Sequence, residues 1–303
     1  MSQPYVLIIG GTNMDVFGQA TQSLVYGESN IGTITTAYGG VGRNIAENCA
    51  RLNLKTILLS ALGADAYGHQ IRNHAQTINL NMEHCVISDT HPTATYLSVL
   101  DENNDLLLGI NAMDVLDLLD VPFIQNHRSL IENAHVCVLD TNLPQATLDY
   151  LLTHFKNTRF FVDGVSSSKV IKIKPHLHAI DTLKINKNEA QVLMGTPNDA
   201  NFLRLAQKVR HVVITFGKDG ALLIKQGKSY PFAAYASQIV NTTGAGDAFL
   251  AGLIYGIMHD YNYQASMHFA LASAAITLKS KQSIHPEFSE TLLLKTIKEQ
   301  AYV

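Results

Sequence analysis

Five short runs, apolar nearly throughout and each closed by glycine or aspartate, restrict the fold of this chain more than any other feature. They are Tyr5–Ile9, Lys55–Leu62, His135–Leu139, Phe160–Val162 and Val212–Phe216. Runs of this kind, without polar alternation, belong to strands buried on both faces. Helical spacing fills the intervals, for example Ile45, Ala46, Cys49, Ala50 and Leu52. Strands alternating with helices imply an α/β fold, a mostly parallel sheet covered on both sides, with ligands at the C-terminal strand ends. At 303 residues and 47% hydrophobic content, the chain suits one large domain or one with a small appendage. The appendage has its own signature. Gly18 to Thr36 is polar and weakly patterned, while Thr93–Leu100 alternates, turns at Asp101–Asp105 and returns through Leu106–Ile110. Further strands are expected over Met82–Ile87, over Thr182–Ile185, in a hairpin of Ala221–Lys225 with Lys228–Phe232, and in a segment ending at Val240.

After Val240 comes Asn241-Thr242-Thr243-Gly244-Ala245-Gly246-Asp247-Ala248-Phe249, leading into Phe249, Leu250, Leu253, Ile254, Ile257 and Met258 at helical spacing. A glycine turn therefore opens straight into a helix N-terminus, where unpaired N–H groups and the helix dipole favour an anion. Asp247 in that first turn is readable in two ways. It is either a carboxylate complementing the dipole, or a base that takes a proton from an attacking hydroxyl while the N–H groups of Gly244, Ala245 and Gly246 hold a transferring phosphoryl group. Neither a Walker loop nor a protein-kinase glycine loop is present.

Charge and cysteine usage narrow the class. A net charge of −3 and the lack of any Lys/Arg-rich run argue against a nucleic-acid surface. Cys49, Cys85 and Cys137 are scattered with no CxxC, as in a reduced, cytoplasmic protein. Tyr5–Ile9 lacks a basic leader and is too short to span a bilayer, so it reads as a first buried strand. Thirteen histidines include no HExxH, and His176 and His178 have no partner motif.

Several other motifs carry two readings each. In Gly10-Gly11-Thr12-Asn13-Met14-Asp15, Asp15 is either solvated beside a tight turn or, with the Asn13 amide, a receptor for neighbouring sugar hydroxyls. Gly39-Gly40-Val41-Gly42-Arg43-Asn44 fails the dinucleotide spacing, since Ile45 stands where glycine or alanine is required; Arg43 is expected on the helix face. Asn186-x-x-Glu189 is a capping box or a site near phosphates, and the two are compatible. Thr215-Phe216-Gly217-Lys218-Asp219-Gly220 is a hairpin entry or a nucleotide loop. Ala272–Ile276 either walls a nucleotide pocket or permits close helix packing.

Taken in order, these motifs resemble the ribokinase-like (PfkB) sugar and nucleoside kinases over nearly the whole chain, most specifically in Thr243–Phe249. The resemblance implies a three-layer α/β/α core with a small β lid. Residues 1–11 and 39–91 would be core, 12–38 and 92–112 lid strands, and 113–303 core with the ATP site. It implies that Asn13, Asp15, Gly40, Gly42 and Asn44 hold the sugar, with Asp247 as base. It places Thr215, Gly217, Lys218, Gly220 and Thr243 against ATP, and Asn186 and Glu189 near Mg2+ through water. Asn241 takes a position where relatives carry Asp in a monovalent-cation loop, which leaves K+ as a candidate activator. Among subgroups, the motifs around Asn13, Gly40, Thr95–Asp101 and Ile110–Asp114 are most similar to pseudouridine kinases. Asn111 suits the amide-like edge of a uracil or is a hairpin-end residue; Thr93 or Thr95, and Asn142 after the third run, are further substrate candidates. Lid strands that pair across a two-fold axis in relatives imply a homodimer.

Overall fold

The computed structural model describes residues 3–196 and 198–300, so the outer ends of the ranges 1–11 and 113–303 lie outside the described residues. Chain order begins with β1 (Val6–Ile9), β2 (Asn13–Ala20), β3 (Gly32–Gly39), α1 (Val41–Arg51), β4 (Thr56–Leu59), β5 (Ala61–Gly63) and α2 (Ala66–Thr77). It continues through β6 (Val86–Ser88), β7 (Thr95–Leu100), β8 (Leu106–Ala112), α3 (Val121–Asn126), α4 (Arg128–Glu132), β9 (Val136–Asp140), α5 (Gln145–His154) and β10 (Phe160–Asp163). The rest comprises β11 (Thr182–Asn186), α6 (Lys187–Met194), α7 (Asp199–Ala206), β12 (His211–Thr215), β13 (Ala221–Lys225), β14 (Lys228–Phe232), α8 (Ala245–Met258), α9 (Tyr263–Thr277) and α10 (Glu290–Gln300).

The main sheet runs β14-β13-β12-β11-β10-β9-β1-β4, parallel except for the β12-β13-β14 edge. Its two faces follow from strand alternation. Val6, Ile8, Val138 and Phe161 enter a core shared with α1, α8 and α9, whereas Leu7, Ile9, Leu139 and Val162 enter one shared with α5, α6 and α7. Each fully buried aliphatic side chain contributes about 1.5–3 kcal/mol. The result is the expected three-layer α/β/α arrangement. Helix α8 is buried continuously from Asp247 to Ile257, apolar all round rather than striped, because α1 and α9 cover its flanks.

A separate sheet, β3-β2-β7-β8, is formed by the polar segment and the hairpin. Strand pairing begins at Asn13, within the 12–38 segment given to the lid, so Asn13 and Asp15 are strand residues and not part of a turn. The Lys55–Leu62 run breaks at Ser60, whose hydroxyl donates to the Gly10 carbonyl at 2.7 Å; beyond it β5 leaves the main sheet to pair with β6. Of the strand expected over Met82–Ile87, only β6 forms. Nor is the stretch up to Val240 a strand. Residues 233–240 are irregular, and Ile239 and Val240 are exposed.

Candidate active site

Three loops at the C-terminal strand ends are drawn together by one buried carboxylate. Asp140, at the end of β9, accepts from the backbone N–H of Gly11 and of Gly42, each at 2.8 Å, and from that of Asn142 at 2.8 Å. Gly10 and Gly42 leave no room for a Cβ beside this carboxylate. Burial holds the Asp140 acid above its ordinary range against the lowering effect of the Gly11 and Asn142 donors. Gly40 caps α1 at φ 96, a conformation open to glycine, and a Cβ there would overlap the Gly11 carbonyl. The motifs Gly10–Asp15 and Gly39–Asn44 thus form one cradle. Within it Asn13 Nδ2 donates to Asp15 Oδ1 at 2.6 Å, and burial raises the Asp15 acid while Asn13 and Arg43 oppose that rise.

Asn44 joins this cradle to α8. Its Nδ2 donates to Asp247 Oδ2 at 2.9 Å, while its Oδ1 accepts from Arg43. Arg43 is not on an exposed helix face: it is 4% exposed, pairs with Glu47 and donates to the Tyr38 carbonyl. Glu47, held by Arg43, Arg51 and His74, stays ionised with its acid pushed down to about 2 despite burial.

Gly244 caps α8 in the left-handed region at φ 79, where a Cβ would overlap the Ser283 carbonyl. No side chain caps this helix, and Ala245 and Gly246 of its first turn line the cavity beyond, with the Ala245 N–H bonding back to the Thr242 carbonyl at 3.4 Å. Asp247 in that turn is 8% exposed. Burial first, and the Asp163 carboxylate second, push its acid up to about 7, with Lys184 and Asn44 acting the other way. Lys184 and Asp163 were not legible as site residues; Lys184 Nζ donates to Asp163 Oδ2 at 2.9 Å.

On the far side of α8 lies a cavity of about 570 Å³. Asn186, Thr215, Gly217, Lys218, Gly220, Ala245 and Gly246 line it, as do Ala274 and Ala275 from the small-residue stretch of α9. Another wall, Ala234–Ser237 and Ile239, comes from the irregular segment where a strand is expected from the sequence. Thr242 lines it, and Thr243 is not among its lining residues. Asn186 and Glu189 form a complete capping box: Glu189 accepts from Asn186 N at 2.9 Å, and Asn186 Oδ1 accepts from Glu189 N at 3.0 Å. Asn241 ties its own loop, accepting from Thr243 N at 3.0 Å and donating to the Lys281 carbonyl at 2.9 Å.

The hairpin candidates separate. Asp15 pairs with Tyr96, which pairs with Asn111, so these three share one face of the small sheet. Thr95 pairs with Met14 and Ala112 and lies on the opposite face. Thr93 is committed elsewhere, donating to Asp65 Oδ1 at 2.6 Å. Asn142 sits beside Gly11 with its Oδ1 accepting from Lys169 Nζ at 2.5 Å.

Known proteins share this architecture. Residues 3–290 match the pfkB family of carbohydrate kinases. Pseudouridine kinase of Escherichia coli is 34% identical over 94% of this chain and 94% of its own length. A ribokinase of Haemophilus influenzae is 26% identical over 84% of this chain and 86% of its own. The structure of Arabidopsis thaliana ribokinase with ribose and ATP superposes with a TM-score of 0.87 at 22% identity, covering 98% of this chain and 99% of that one. Among the described residues no helix is long and apolar enough to cross a membrane. The chain belongs to the pfkB family of carbohydrate kinases, phosphotransferases whose acceptor is an alcohol group.

Proposed function

We propose that this chain transfers the γ-phosphoryl group of ATP to the 5′-hydroxyl of pseudouridine. One observation carries the reading: Asp247 stands where the two halves of the site meet. It is bonded to the sugar-side Asn44 and lies one residue beyond Gly246 of the cavity wall. Its acid, near 7, matches the work of a base at neutral pH. Asp15, Asn13, Gly40, Gly42 and Asn44 hold the ribose with its 5′-hydroxyl toward Asp247. Gly244, Ala245 and Gly246 direct N–H groups at the phosphoryl group as charge redistributes on it. ATP fills the cavity from Thr215, Gly217, Lys218 and Gly220 to Ala274.

Magnesium fits the same end of that cavity. Asn186, which lines it, and Glu189 are oxygen donors, and buried Glu189 keeps its carboxylate oriented by the capping box. Held largely through water, the ion would neutralise charge on the ATP phosphates. K+ activation through the Asn241 loop belongs to the same proposal. The small sheet acts as a lid that excludes water. Similarity to pseudouridine kinase supports the acceptor, as does Asn111, which shares the Asp15 face. Asn111 is itself exposed, which favours a second reading in which the acceptor is a free sugar such as ribose.

The test is ADP release with Mg-ATP on pseudouridine, uridine, adenosine, ribose and fructose, with Asp247→Asn beside the wild type. Pseudouridine is expected to lead, and the variant to lose about 10²–10⁴ in turnover. A lead by ribose would establish the second reading. Undiminished turnover in Asp247→Asn would remove Asp247 from the mechanism.

A further inference from the structure

We propose that Lys184 is a catalytic residue, whose ammonium exchanges Asp163 for the γ-phosphoryl group of ATP and stays on it as it passes to the acceptor. This rests on the reading above that the phosphoryl group crosses at the N-terminus of α8. The lysine stands in β11, two residues before Asn186, on the strand face it shares with buried Thr182, while Leu183 and Ile185 point to the opposite face. Its Nζ lies 2.6 Å from where a Cβ on Gly246 would be. Glycine at that position is therefore what admits an ammonium to the phosphoryl cradle. Lys184 also lines the nucleotide cavity, and it is the one buried cation that does so among the described residues, Lys218 being exposed at the rim.

Its bonding is incomplete for a purely structural cation. An ammonium has three donors, and among the described residues only Asp163 accepts from Lys184 within hydrogen-bond distance. Yet the charge is secure. Burial works to lower its pKa, but the carboxylates of Asp163, Asp247 and Glu189 outweigh that and hold it above the ordinary lysine range. The site thus stores a permanent positive charge beside the helix N-terminus, with donors free to turn toward an incoming phosphate. Such prepositioned charge in a water-poor site costs little reorganisation at the moment of reaction.

Proton and electron balance leave the lysine unchanged. The acceptor oxygen forms its bond to phosphorus and gives its proton to the Asp247 carboxylate. The bond from phosphorus to the bridging oxygen breaks, and its electron pair stays on the β-phosphate of ADP. Lys184 neither gains nor loses a proton; it follows the charge.

Truncating Lys184 alone leaves buried Asp163 with the Val165 N–H but no cation, so Lys184→Met is paired with the double variant Lys184→Met/Asp163→Asn. Calorimetric titration with Mg-ADP and with the magnesium complex of β,γ-imido-ATP reads the preference for a third phosphate. Both variants are expected to lose about tenfold or more of that preference, and turnover is expected to fall about 10²–10³ while the acceptor KM changes little. A lysine that only neutralises Asp163 predicts something else: an unchanged preference and a double variant with wild-type turnover. That pair of results would overturn the proposal. Asp247→Asn serves as an independent arm, expected to lose turnover with the triphosphate preference intact. If it keeps turnover, the base assignment falls, and the titrations with the lysine variants still decide the role of Lys184.

Discussion

At the scale of single residues, burial fits Asp247 for the base role proposed for it. With its acid at about 7 in the folded chain, kcat/KM is expected to climb through pH 7 as the carboxylate ionises, and Asp247→Asn should abolish that limb along with the activity. The same shift has a stability consequence with a definite sign. The folded pKa lies above the unfolded one, near 3.9, so the folded state binds the extra proton. Stability from this group is full below about pH 4 and is lost as pH rises through 7. Asp247→Asn removes the buried charge, so at pH 8 it should melt above the wild type, by the equivalent of about 2–4 kcal/mol. Thermal melts of both proteins at pH 5 and pH 8 measure this; a variant less stable at pH 8 would show that the carboxylate is not strained by burial. Asp247 announces itself in the sequence because its neighbours are glycines opening a helix. Lys184 does not. Its partner Asp163 is 21 positions away, and a lone lysine in a short strand carries no local sign of which face it occupies.

Elements explain which parts of the site were legible. Helix starts were, because Gly40, Asn186 and Gly244 each impose a cap that local chemistry dictates. Ala233–Val240 was not: β-branched and small residues follow a true strand, but the segment forms cavity wall and carries exposed Ile239 and Val240 instead of pairing. Strand parity settles another ambiguity that composition left open. Thr95 and Asn111 both sat in the hairpin as candidates, and register puts only Asn111 on the Asp15 face. Asn111→Ala is therefore expected to raise the nucleoside KM several-fold. Thr95→Val, on the other face, should change it by less than about twofold, because successive side chains point to opposite sides of a sheet. Steady-state kinetics on the two variants compare them directly. A larger effect at Thr95 would mean the substrate does not lie against the Asp15 face.

The whole molecule leaves one surface unexplained by a single chain. On the side of the small sheet away from Asp15, Ile34, Val99 and Leu108 form one row and Val16, Leu97 and Ile110 the next. Ile34 is 77% exposed, Leu108 54% and Ile110 50%, while β3 and β8 are unpaired edges. Apolar side chains grouped in this way on a sheet with two open edges mark an association surface, and a second copy of the chain is the occupant we propose. A dimer at micromolar concentration is expected by sedimentation, and Ile34→Asp/Leu108→Lys should make it monomeric. The consequence for activity depends on where the two substrates sit. The cavity proposed for ATP has β11, β12, α8 and α9 among its walls, none of which belongs to the small sheet, so ATP binding should persist in the monomer. In the proposed arrangement the acceptor lies against β2 and is covered by that sheet, whose orientation a partner would steady, so acceptor KM should rise. A wild-type chain that sediments as a monomer would remove the dimer. A monomeric variant with unchanged acceptor KM would keep the dimer but deny it any part in holding the lid.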